Sequence, residues 1–199
     1  MSILLARVKD GVVYLATDTR IVANDDKWNE LCESNYKIQR LENGMLVGVE
    51  GERTCRQAIF SLMDNFKLDK NEELSAEHIL KNIAVPLFFE LKDMGVLEYE
   101  DKDEETYPYM KGSVILAHKD KLFEICSSFM VLRYEDYQAV GRASDFVQYA
   151  IGNQTGTEEV HEEFKRLLDC AAKYSHLVGA PYLFIDTKSQ EYTLVGEEE

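Results

Sequence analysis

The sequence has no surplus of basic charge. It carries 22 Lys and Arg against 37 Asp and Glu, a formal net charge of -15. That balance argues against a nucleic-acid partner, because affinity for a phosphate backbone comes from counterions displaced by a basic surface. Long apolar runs are missing as well: none approaches the ~18 residues of a membrane-spanning helix. The N-terminus lacks the basic region and apolar core of a secretion signal. The expectation is a cytoplasmic protein without a membrane partner. The four cysteines, Cys32, Cys55, Cys126 and Cys170, lie far apart and form no CxxC pair. They offer neither a zinc set nor a disulfide framework and read as reduced thiols. The histidines (His78, His118, His161 and His176) fall at no metal-ligand spacing. No metal or other cofactor is expected. Residues 97–107 are rich in acids but lack the glycine and ligand spacing of an EF-hand, so they read as an exposed acidic loop. Internal repeats, low-complexity tracts and linkers are absent too. With 45% hydrophobic residues in 199, the chain is expected to build one domain over 1–199 around a full core.

What is present begins at the first residues. Apolar runs at 3–8 and 12–17 flank Lys9-Asp10-Gly11, which predicts a hairpin. The runs are almost continuously apolar, so both faces of the hairpin should be covered. Residues 19–35 read as polar and irregular. A second hairpin is predicted over 36–41 and 45–50 around Asn43-Gly44. After Gly51 the period becomes helical, with Cys55, Ile59, Leu62, Met63 and Phe66 on one face. Ser75 caps a second helix whose stripe is Ile79, Ile83, Leu87 and Leu91, with a kink expected at Pro86. Strands are expected at 112–118, 121–127 and 129–134, helices near Ser144 and over 158–177, and strands at 181–185 and 192–195. Strands, helices, strands, helices and strands in that order fit an α+β fold, a four-layer α-β-β-α sandwich. A doubly wound sheet would need strict alternation of strand and helix, which the chain does not have.

Order and residues together resemble the β-type subunits of the proteasome and, most closely, their bacterial relative HslV. These are N-terminal-nucleophile hydrolases. Anchored on Gly11 and on Asp18 in Ala16-Thr17-Asp18, the resemblance puts Ser2 where the family has its catalytic N-terminal Thr. Lys37 falls on the catalytic Lys. Gly51, in Gly48-Val49-Glu50-Gly51, falls on the residue whose N–H helps form the oxyanion hole. The resemblance also implies that Ile21 and Val22 run along an extended substrate and that Val49 lines the pocket before the cleaved bond. Two departures stand out. Gly141-Arg142-Ala143 replaces the usual Gly-Ser-Gly, and Ser175 and Val178 fall where the family has a supporting Asp and Ser.

The implied chemistry is coherent. Removal of Met1 would leave a hydroxyl and an α-amine on Ser2, a nucleophile with its own base. The amine's ordinary pKa lies near ~8, and a neighbouring ammonium such as Lys37 lowers it. Asp18 would hold Lys37, and Gly51 would donate to a tetrahedral oxyanion. The expected function is a peptidase acting on peptide or protein substrates. The resemblance implies self-association into rings and an ATPase unfoldase as partner. The alternatives are a catalytically silent structural subunit of the same fold and an amidohydrolase acting on a small amide.

Overall fold

The computed structural model describes residues 3–23, 26–63, 65–66, 74–102, 105–151 and 159–196. β1 (Ile3–Lys9) and β2 (Val12–Asp18) form the first hairpin. Its two-residue turn places Asp10 at φ 52° and Gly11 at φ 75°, the positive values a primed turn requires. β3 (Arg20–Ala23) and β4 (Asp26–Asn29) follow, then β5 (Ile38–Arg40) and β6 (Leu46–Gly51). The first helical block comprises α1 (Arg53–Met63), α2 (Ala76–Ile79) and α3 (Val85–Asp93). The second set of strands is β7 (Glu98–Lys102), β8 (Glu105–Tyr109), β9 (Gly112–His118), β10 (Lys121–Ile125), β11 (Val131–Tyr134) and β12 (Tyr137–Gly141). Helices α4 (Ser144–Ile151) and α5 (Val160–Tyr174) and strands β13 (Tyr182–Asp186) and β14 (Thr193–Val195) complete the order.

Two antiparallel five-stranded sheets form the centre, in the orders β12-β1-β2-β13-β14 and β11-β10-β9-β6-β5. Strand alternation explains the continuous apolar runs. Leu4, Ala6, Val13 and Leu15 point between the sheets and meet Ile38, Leu46, Ile115 and Ala117. Ile3, Leu5 and Ala16 point outward and meet Phe164, Leu167 and Leu168 of α5. On the other side, Val47, Val114 and Leu116 pack under Ile59, Ile83 and Leu87 from the first helical block. The predicted four-layer α-β-β-α sandwich is the fold of the chain. Gly48 leaves room for Leu4 of the facing sheet: a Cβ there would lie 2.3 Å from Leu4 Cδ1.

Three segments differ from the expectation. Residues 19–35 carry the short β3–β4 hairpin, in which Ile21 faces Trp28. Residues 97–107 pair as β7–β8 instead of lying in a loop, because backbone pairing needs no apolar pattern when both faces can stay polar. β12 was not anticipated, and it pairs with β1 over Ile3–Arg7 to form the edge of the first sheet. The chain also accommodates Pro86 in its own way. A π-helical turn at Leu80–Ala84 precedes the proline, where the ring removes a donor from the regular ladder. Ser75 caps the helix as expected, its hydroxyl accepting from the His78 N–H at 3.1 Å.

Candidate active site

Both sheets end at one cleft. Gly141, at the end of β12, lines it from one sheet, and the Gly51–Gly112 pair of β6 and β9 lines it from the other. The cleft has a volume of about 790 Å³. Its lining includes Ile21, Val22, Trp28, Lys37, Glu50, Gly51, Gly112 and Arg142.

Asp18, the last residue of β2, is fully buried and divides its carboxylate between two donors. Oδ1 accepts the Ile3 N–H at 3.0 Å, and Oδ2 accepts from Lys37 Nζ at 2.9 Å. Lys37 Nζ also donates to the Arg20 carbonyl at 2.8 Å. Burial pulls the Lys37 ammonium below its ordinary value, and Asp18 opposes that shift. The Thr17 hydroxyl ties the same corner by donating to the Ile3 carbonyl at 2.7 Å. The start of β1 is thus held on both of its backbone groups beside a buried carboxylate–ammonium pair.

A second, largely buried network reaches the cleft through Arg53 and Arg56. Glu30, which follows β4, accepts from Arg56 Nη2 at 2.6 Å through Oε2, and Arg53 Nη2 lies 3.3 Å from Oε1. Glu30 and Arg56 are buried, whereas the Arg53 side chain is about half exposed. Arg53 and Arg56 occupy the first and second turns of α1, at the end of the helix where its dipole disfavours cations. Burial pulls the Arg56 guanidinium below its ordinary value, and Glu30 opposes this.

The sequence-derived residues assemble in part. Asp18 supports Lys37, and Lys37, Gly51, Ile21 and Val22 line one cleft. Ser2 lies outside the described residues. Val49 takes a different place: alternation along β6 sends it, 1% exposed, into the core with α1. The side chain that β6 turns into the cleft is the next one, Glu50. Val178 is buried, and its carbonyl accepts from Arg20 Nη1 at 3.1 Å. Ser175 ends α5 and accepts the Leu177 N–H at 3.3 Å. Glu30, Arg53, Arg56 and Trp28 had not been singled out as site residues. The signal for the two arginines was present, since cations at a helix start contradict local preference.

Gly51 is required by its surroundings. Its φ is 140°, and a Cβ would lie 2.0 Å from the Lys111 carbonyl oxygen. Gly51→Ala is expected to lower stability by about 3 kcal/mol, from backbone strain plus the clash with a strand that cannot yield cheaply. Urea unfolding measures it, and a loss under 1 kcal/mol would contradict it.

No protein-family model matches the sequence, and no curated protein matches it. Solved structures do. BPH from Thiobacillus denitrificans aligns with a TM-score of 0.73 at 20% identity, over 92% of this chain and 96% of that one. The structure of BPH in complex with epoxomicin aligns at 0.71 and 20%, over 92% and 97%. Anbu, an ancestral beta-subunit from Yersinia bercovieri, aligns at 0.70 and 13%, over 98% and 88%. The likeness seen in the sequence is thus not particular to HslV, and the chain has the fold of BPH and Anbu.

Proposed function

We propose that the chain is an N-terminal-nucleophile hydrolase that cleaves peptide bonds through Ser2 after Met1 is removed. The observation that carries this is Asp18, whose carboxylate joins the backbone next to Ser2 to the Lys37 ammonium that lines the cleft. In the proposed reaction the α-amine of Ser2 takes the hydroxyl proton as Oγ attacks the substrate carbonyl. The tetrahedral oxyanion receives a hydrogen bond from the Gly51 N–H. Its collapse forms a Ser2 ester and breaks the C–N bond, the leaving amine taking the proton. Water, deprotonated by the same α-amine, then hydrolyses the ester. Lys37 lowers the proton affinity of the α-amine through its charge. β3 pairs only with β4 among the described residues, so its Ile21–Val22 edge can bind an extended peptide by strand addition. The fold likeness favours a homo-oligomeric ring that encloses Ser2, served by an ATPase unfoldase in the cytoplasm.

The test is intact mass followed by labelling. Protein from its native host should lack the mass of Met1 and gain one equivalent of epoxomicin, the compound held by BPH in its solved complex. Ser2→Ala should abolish the adduct and lower peptide turnover by roughly 10³-fold or more, with the oligomer's mass unchanged. Retention of Met1 would leave Ser2 with an amide nitrogen that cannot act as a base. That result would replace this function with the silent-subunit alternative. Turnover of small amides but not of peptides would instead indicate an amidohydrolase.

A further inference from the structure

Each cationic side chain of the cleft but one has a carboxylate beside it among the described residues. Lys37 is paired with Asp18, and Lys111 Nζ lies 2.5 Å from Glu98 Oε1 and 3.5 Å from Glu52 Oε2. Glu30 serves Arg53 and Arg56 together, so that group holds two guanidiniums against one carboxylate. Glu50 is buried and has a partner of its own. Arg142 is exposed in the β12–α4 turn, lines the cleft, and makes no ion pair or side-chain hydrogen bond among the described residues. Glu52 also lines the cleft, its side chain about half exposed and 3.5 Å from Lys111 Nζ, so Arg142 is the one cleft cation left without a carboxylate partner among the described residues. This arrangement stands out in a chain whose net charge is -15. A planar guanidinium with unused donors is suited to bidentate recognition of a carboxylate.

We infer that the cleft selects peptides bearing an acidic side chain, whose carboxylate docks on Arg142 with Arg53 adding charge. This selectivity deepens the function proposed above and rests on it for its biological meaning, but the binding preference can be measured without turnover. Trp28 supplies the readout, because it is the chain's only tryptophan and lines the same cleft.

The experiment uses the full-length Ser2→Ala protein and short peptides acetylated and amidated at their ends, identical except for one Glu, Gln or Lys. Titration is followed by Trp28 emission. The Glu peptide is expected to bind at least roughly tenfold more tightly than the Gln peptide, the scale of one charge-assisted hydrogen bond to a positioned partner. The preference should shrink as salt rises and should largely disappear in Arg142→Gln. Arg142→Lys should retain part of it, and Lys92→Gln, on α3 outside the cleft, should retain all of it. A Gln peptide with an unblocked C-terminus distinguishes a terminal carboxylate from a side-chain one; if it binds as tightly as the Glu peptide, the assignment to an acidic side chain fails. Equal binding of Glu and Gln peptides, an unchanged preference in Arg142→Gln, or no response to any peptide would also overturn the inference. The two readings fail separately. Absence of the Ser2 adduct alongside an intact Glu preference would reject the hydrolase and keep the acidic-peptide site. Labelled Ser2 with no charge preference would do the reverse.

Discussion

Lys37→Met is expected to lower stability by about 3–5 kcal/mol and to remove hydrolysis. Asp18 is fully buried, and in the variant its carboxylate would keep only the Ile3 N–H among the described residues. Breaking a buried ion pair from one side is costly because the remaining charge stays desolvated without compensation. The methionine fills much of the lysine's volume, so the loss reports charge more than a cavity. Urea unfolding of the variant gives the energy, and a change below 1 kcal/mol would show that water reaches Asp18. Alkaline pH supplies a second readout. Burial holds the Lys37 value below the ordinary 10.5 of an unfolded lysine, although Asp18 opposes it. Between the folded value and 10.5 the unfolded chain binds more protons, so this group's contribution to stability rises with pH in that window. The difference between wild type and Lys37→Met should therefore grow as pH enters the window from below. The opposite slope would mean that Asp18 outweighs desolvation. The catalytic loss has a separate cause, since the variant removes the positive charge proposed to lower the proton affinity of the Ser2 amine.

The sequence made the sandwich legible because its two sheets are buried on both faces. Runs such as Ile3-Leu-Leu-Ala-Arg-Val cannot sit on a half-solvated sheet, and the structure sends alternate residues of that run to separate cores. Turns with strict φ demands, at Asp10-Gly11 above all, fixed the first register. Asp18, Lys37 and Gly51 were named as a set by the family resemblance, and the structure places each at the end of, or just before, a strand. Weak strands were not legible. β3, β4, β7 and β8 form two-stranded pairs outside the main sheets, where hydrophobic periodicity carries little information. Val49 shows the limit in reverse. Its position in the segment was clear, but only the register of β6 against β9 decides that Glu50, opposite Ser113, opens on the cleft while Val49 faces α1.

Glu30 lay in the stretch that read as polar and irregular, and its replacement is expected to have a comparable effect. Glu30→Leu leaves Arg56, 3% exposed, with no carboxylate partner among those the structure places beside it. A cost of about 3–5 kcal/mol is expected from the stranded charge. The double variant Glu30→Leu, Arg56→Met should recover most of it, because an apolar pair of similar volume avoids desolvation altogether. If the double variant were as unstable as the single one, the network would be holding α1 to β4 by hydrogen-bond geometry, not by charge compensation. The same pair of variants reaches the catalytic corner without touching it. Arg56 lowers the Lys37 value, and Glu30 raises it. Removing Glu30 alone should push Lys37 further down, moving the start of its alkaline stability window to lower pH, and removing both should move it back. The pH at which Lys37-linked stability begins to rise, compared across wild type, single and double variants, therefore tests whether the two buried ion pairs form one electrostatic unit. Identical onsets in all three would show that they act independently.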